Sequence, residues 1–181
     1  MRKLLLCLSG LALLGGAALY AGQAKRVAGE VSPASVQGRV TVFETINRTP
    51  TTNPVRDLRV YIFTLEASKP FEELQLKCRR ATAQPKADPV RTYQLCETAL
   101  AEAYALVPSL PATATARTDR AGSFHLDDLA PDRQYHLVGI KRDEGGSPIV
   151  VVAKTPRLRS GQKLTLELSE NEPWTGPLIM R

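Results

Sequence analysis

The sequence predicts a mainly β protein: a seven-stranded β-sandwich with an α-helical hairpin inserted between strands 2 and 3. Seven short runs alternate apolar and polar residues, the period of a strand buried on one face. Asp, Asn, Gly and Pro punctuate them at the spacing of sandwich turns. Between the second and third runs the period lengthens to that of a helix, twice in succession.

The first strand spans 35–44. In "SVQGRVTVFE", Val36, Gly38, Val40 and Val42 share one face, and Gln37, Arg39 and Thr41 share the other. "INRTPTTNPVRD" (46–57) carries two prolines and two asparagines and reads as turn chemistry. A second strand, 58–66, turns Leu58, Val60 and Ile62 inward. "KPFEELQLKCRRA" then places Phe71, Leu74, Cys78 and Ala81 on one helical stripe. Pro70 suits the first turn, and Glu72 and Glu73 suit the positive end of the helix dipole. In "DPVRTYQLCETALAEAYALV", Asp88 is an N-cap, Pro89 opens the helix, and Tyr93, Cys96, Leu100, Ala103, Tyr104 and Val107 recur at helical spacing. Residues 67–112 therefore form the hairpin insertion. Strands resume at 113–119, 122–128, 134–142, 148–155 and 162–169. Asp119 opens a tight turn that Gly122 closes with positive φ. The sandwich domain is 35–169, and 170–181 is an irregular tail.

"MRK" followed by an uncharged run from Leu4 to Ala24 predicts a signal peptide over 1–24, with Gly22 and Ala24 as the small residues of a cleavage site. The same run is long enough to be an uncleaved membrane anchor. Residues 25–34 are a linker. Either way the domain is extracytoplasmic, periplasmic or secreted, and touches a membrane only through its N-terminal segment. The net charge is +6, and losing Arg2 and Lys3 with the leader leaves +4, scattered. Nucleic-acid binders gather such charge into a stripe, so no nucleic-acid partner is expected. "KCRR" (77–80) reads as a solvated helix face rather than a phosphate site.

Cys7 belongs to the leader. Cys78 and Cys96 remain, an even pair in an oxidising compartment, on the facing apolar stripes of two antiparallel helices. They should form a disulfide. A metal site would need further ligands nearby, and the two histidines, His125 and His136, are distant in sequence.

"SVQGRVTV", "PVRDLRVYIF" and "TARTDRAGSFHLDDLAPDRQYHLV" together resemble the carboxypeptidase regulatory-like domain, in a bacterial exported form. Gly38, Pro54, Val55, Val60, Thr118, Asp119, Gly122, Phe124, Leu129, Pro131, Tyr135 and Leu137 carry the likeness, over a little under half of the chain. The resemblance implies a prealbumin-like, transthyretin-like β-sandwich, and it speaks for fold more than for function. Asp132 stands where that family usually has Gly, a substitution the left-handed region tolerates. The hairpin is not part of the minimal family domain. Some prealbumin-like proteins are purine-catabolic hydrolases, with a His/Arg/His cluster and a C-terminal Tyr-Arg-Gly-Ser. This chain ends "LIMR", so that activity is not carried over, and the zinc peptidase domain that names the family is absent.

His125 and His136 alternate with inward residues and should both point outward. With Asp127 or Asp128 they are the candidate metal ligands; the expectation is that they are plain solvent-facing residues and that the chain holds no metal or cofactor. No nucleophile, metal or nucleotide motif occurs. Tyr61 and Phe63 lie on the face opposite Val60 and Ile62. They form a ligand or partner surface if exposed; the alternative, favoured by the adjacent insertion, is that the hairpin covers them. Trp174 is a plug on the sandwich edge or, in a second reading, a ligand platform. The sequence thus points to a non-enzymatic module for envelope structure or protein–protein interaction. A carbohydrate-binding module with a polysaccharide partner, like the starch-binding sandwiches, is the alternative. A hydrolase of unknown substrate comes third.

Overall fold

The computed structural model describes residues 31–46, 49–84, 88–142 and 148–169. The leader 1–24, most of the linker, the turn near 145 and the tail with Trp174 lie outside the described residues.

Eight strands are described, one more than the alternation predicts. They are β1 (Ala34–Ile46), β2 (Thr49–Pro54), β3 (Arg59–Thr64), β4 (Ala114–Arg117), β5 (Ser123–Leu129), β6 (Tyr135–Arg142), β7 (Pro148–Lys154) and β8 (Lys163–Ser169). Helices α1 (Lys69–Thr82) and α2 (Pro89–Leu106) lie between β3 and β4. The extra strand is β2, in the stretch read as a turn. It pairs antiparallel with the second half of β1, from Thr41↔Pro54 to Ile46↔Thr49. The Val55 amide donates to the Val40 carbonyl. Backbone groups alternate sides along a strand, so Pro50 and Pro54 sit where an N–H would face away from β1. Their missing donors cost no ladder bond, which is how an edge strand admits proline.

Residues 35–39 of β1 pair with β5 on one edge and, in parallel, with β8 on the other. At Val40 the ladder passes from β5 to β2: the Val40 amide donates to the Gly122 carbonyl, and its carbonyl accepts from Val55. This first sheet packs on a second, antiparallel one of order β4-β3-β6-β7. Between them lies the main core, including Val36, Val40, Leu58, Val60, Ile62, Phe124, Leu126, Tyr135 and Leu137. Gly38 is forced by this packing: a Cβ there would overlap the Leu166 carbonyl and the Phe124 ring. Asp128 adopts φ 56°, and the register slips by one residue between Ala34 and Val36, so Leu126 and Leu129 both point inward despite their odd spacing.

The hairpin forms a third layer. Asp88 caps α2 by accepting from the Val90 amide at 2.9 Å. Phe71, Leu74 and Cys78 of α1 and Ala99 and Ala103 of α2 pack on the outer face of the second sheet, against Tyr61, Phe63, Val138, Ile140 and Val150. Burying Phe71 and Leu74 contributes about 1.5–3 kcal/mol each. Helix α2 differs from its predicted stripe at one end. Tyr93, expected to pack, is 66% exposed, and Val90 is 65% exposed. Burial starts only at Ala99, so the first turns of α2 overhang the sheet and meet α1 through the Cys78–Cys96 disulfide, with Cα atoms 4.8 Å apart.

Candidate functional site

The stretch with the densest motif residues is the corner between β4 and β5. Asp119 Oδ1 accepts from the amides of Ala121 and Ser123, each at 2.8 Å. The Gly122 amide closes the turn on the Asp119 carbonyl, with Gly122 at φ 77°. A Cβ at Gly122 would also strike the Val40 carbonyl. Thr118 is buried, and its hydroxyl accepts from the Leu58 amide and donates to the Val55 carbonyl. One threonine thus ties the β2–β3 connection to β4.

The next corner, from β5 to β6, has the same character. Asp132 takes φ 58° and its amide donates to the Leu158 carbonyl at 2.6 Å. The Tyr135 hydroxyl reaches back to the Ala130 carbonyl at 2.9 Å, the arrangement known as a tyrosine corner in Greek-key sandwiches. The side chains of Thr118, Asp119 and Tyr135 are bonded to backbone, and Asp132 serves its corner through φ and its own amide, with its side chain exposed.

Tyr61 and Phe63 do not form an exposed surface. They are 5% and 0% exposed, with rings stacked at 5.9 Å beneath the hairpin. The Tyr61 hydroxyl keeps a polar partner in Arg59, at 3.3 Å. The insertion that follows them in sequence covers both rings. Trp174 lies outside the described residues.

The two histidines part company. His125 is exposed on the first sheet, its Nε2 2.7 Å from Asp127 Oδ1. It lines a shallow groove of about 760 Å³ with Gln37, Arg39, Thr165 and Glu167. Those groups can exchange hydrogen bonds with a polar ligand. His136, expected on the solvent side, is fully buried. It does point away from the sandwich core, but the hairpin covers that face. Its Nδ1 lies 3.2 Å from Glu72 Oε1, without the alignment of a hydrogen bond, and its ring meets Phe71 edge-on at 5.6 Å. Burial pushes the imidazole down to about 4; Glu72 opposes that, while Lys154 and Arg79 add to it. At neutral pH the ring is uncharged, and Glu72 is balanced by Lys154, whose Nζ is 2.8 Å from the same oxygen.

Alternation alone missed this Glu72–His136–Lys154 cluster. Pairing was the signal that could have found it. Phe63 is opposite His136, and His136 is opposite Lys154, so all three share the face that the hairpin covers. Among the described residues no three His, Cys, Asp or Glu side chains gather closely enough to hold a metal ion, and no helix is long and apolar enough to cross a membrane.

No protein-family model and no curated protein matches the chain. Among solved structures it is similar to the pilus backbone RrgB of Streptococcus pneumoniae. The identity is 10% and the TM-score 0.24, over 72% of this chain and 40% of that one. A full-length structure of the same major pilin gives 10% identity and 0.23, over 74% and 30%. The chain therefore spans well under half the length of these neighbours, and scores of that size do not establish a shared fold.

Proposed function

We propose that the chain is an exported, non-enzymatic module of the carboxypeptidase regulatory-like kind, which serves envelope structure by holding a protein partner. The observation that carries this reading is the fate of the T-D-x-x-G stretch. Thr118, Asp119 and Gly122 are spent on backbone geometry, as are Asp132 and Tyr135 in the next corner. A scaffold that uses its densest motif on its own corners takes its role from what it presents and what it is attached to. Export is supported by the leader-like segment 1–24 and by the Cys78–Cys96 pair, since disulfides persist outside the reducing cytoplasm. In this reading 25–34 links the leader to a sandwich domain of 35–169, the hairpin 67–112 is the insertion particular to this chain, and 170–181 is a tail.

The test has two arms. Fusing residues 1–34 to a reporter active only outside the cytoplasm should give signal. A photo-crosslinking residue at position 93, on the overhanging part of α2, should yield a discrete protein adduct in cells. A silent reporter, or turnover of ester, peptide or glycoside substrates by the purified chain, overturns the reading.

A further inference from the structure

The geometry points to β8 as the seam of a symmetric homodimer, in which β8 pairs antiparallel with β8 of a second copy about Thr165. Such pairing would join the two first sheets into one. It is independent of whatever else the module holds.

The described sheet edges are not alike. β2 carries Pro50 and Pro54, β4 is only four residues long, β5 is broken by the register slip opposite Ala34–Val36 and carries Asp127 and Asp128, and β7 opens with Pro148. Proline, short length and bulges are among the devices that keep an edge from pairing with another chain. β8 has none of these three, and its charges, Lys163 and Glu167, are of opposite sign. Its seven residues, "KLTLELS", pair with β1 in unbroken register from Ser35↔Lys163 to Thr41↔Ser169. The Ser35 amide donates to the Gln162 carbonyl, so Gln162 turns its backbone toward β1. By alternation Lys163, Thr165 and Glu167 turn theirs outward, away from the sheet.

The sequence of that edge is self-complementary. Antiparallel pairing about Thr165 sets Lys163 opposite Glu167 of the second copy, Leu164 opposite Leu166, and Thr165 opposite itself. Both Lys–Glu pairs fall at positions whose backbone groups face the seam, so side-chain attraction and ladder bonds occur at the same residues. Lys163, Thr165 and Glu167 are exposed on the outer face, where opposite charges across strands are favourable. Leu164 and Leu166 are only half-buried against the main core, and a second copy would complete their burial. A two-fold axis through Thr165 is the closed, isologous arrangement commonest among homodimers.

Sedimentation or light scattering on the chain recovered after export should give twice the monomer mass. Lys163→Glu or Glu167→Lys alone sets like charges opposite each other in both symmetry-related pairs and should return the monomer mass. The double reversal restores opposite charges and should restore the dimer. Thr165→Pro removes only an outward N–H, which an edge strand accommodates without losing its inner ladder, and should also give monomer with an unchanged circular-dichroism spectrum. A wild-type monomer overturns the proposal and leaves the edge to another protein's strand or to residues 170–181. A dimer indifferent to Thr165→Pro and to the charge reversals overturns it equally, because the seam then lies elsewhere.

Discussion

Phe63 and His136 sit directly opposite each other across β3 and β6, and neither side chain reaches solvent. Burial of the imidazole under the hairpin makes that seat sensitive to pH. The native imidazole is held down to about 4, whereas an unfolded chain holds it near 6.5. Between those values the unfolded state binds a proton that the native state refuses. Stability from this group is therefore complete above about pH 6.5 and is lost as pH falls toward about 4, roughly 3 kcal/mol in all. Urea unfolding of wild type and His136→Leu between pH 7 and pH 4 should show this slope in the first and its loss in the second. Glu72 and Arg79 from α1 and Lys154 from β7 remain in both. His136→Gln should cost more than 1 kcal/mol at pH 7, whereas His125→Gln, at an exposed site, should stay within about 0.5.

The two polar residues of the β4–β5 corner should differ in cost. Thr118→Val leaves the Leu58 amide and the Val55 carbonyl without their buried partner, a loss of about 2 kcal/mol or more. Asp119→Ala removes two bonds from exposed amides that water can replace, at about 1 kcal/mol. Midpoint shifts in urea at constant m-value would check the order. Equal costs would mean that Thr118 is not the tie between β2–β3 and β4.

Gly122 and Asp132, both at positive φ, should respond in opposite ways to gaining and losing a side chain. Gly122→Ala combines φ 77° with a clash on Val40 and should cost well over 1 kcal/mol. Asp132→Gly relieves a left-handed residue at φ 58° and should raise stability by up to about 1 kcal/mol. Thermal melts of the two variants should move in opposite directions.

Much of this fold was legible because its strands obey a simple alternation. Val36, Val40, Leu58, Val60, Ile62, Phe124 and Leu137 all fall inward as their spacing requires. The T-D-x-x-G corner was legible because Asp and Gly are chosen there for turn geometry. β2 was not, because Pro50 and Pro54 look like breakers unless one knows that their nitrogens face away from β1. The covered cluster was not, because alternation says which face a residue is on and not what lies above that face. His136 obeys the pattern and is still buried, since the helices supply a second core. Tyr93 fails for the converse reason: α2 keeps its helical spacing past the point where there is sheet beneath it.

That second core changes what the disulfide should do. The bridge closes a separation of 18 residues, worth about 3 kcal/mol in the chain-entropy picture. Phe71, Leu74, Ala99 and Ala103 hold the near part of the hairpin on the sheet without it. Replacing both cysteines by Ser should therefore speed hydrogen exchange mainly around residues 79–84 and 88–97, while the rest of α1 and α2 stays protected. Exchange spread evenly over residues 67–112 would mean that the second core does not hold the helices by itself.

The central claim, an exported module with its helices stapled, meets its most direct test in the thiol state of the chain recovered from its own compartment. Alkylation under denaturing, non-reducing conditions followed by intact mass should find no label at Cys78 or Cys96, and a disulfide-linked peptide pair after digestion. Two labelled thiols would contradict the account, removing the staple and the oxidising compartment together.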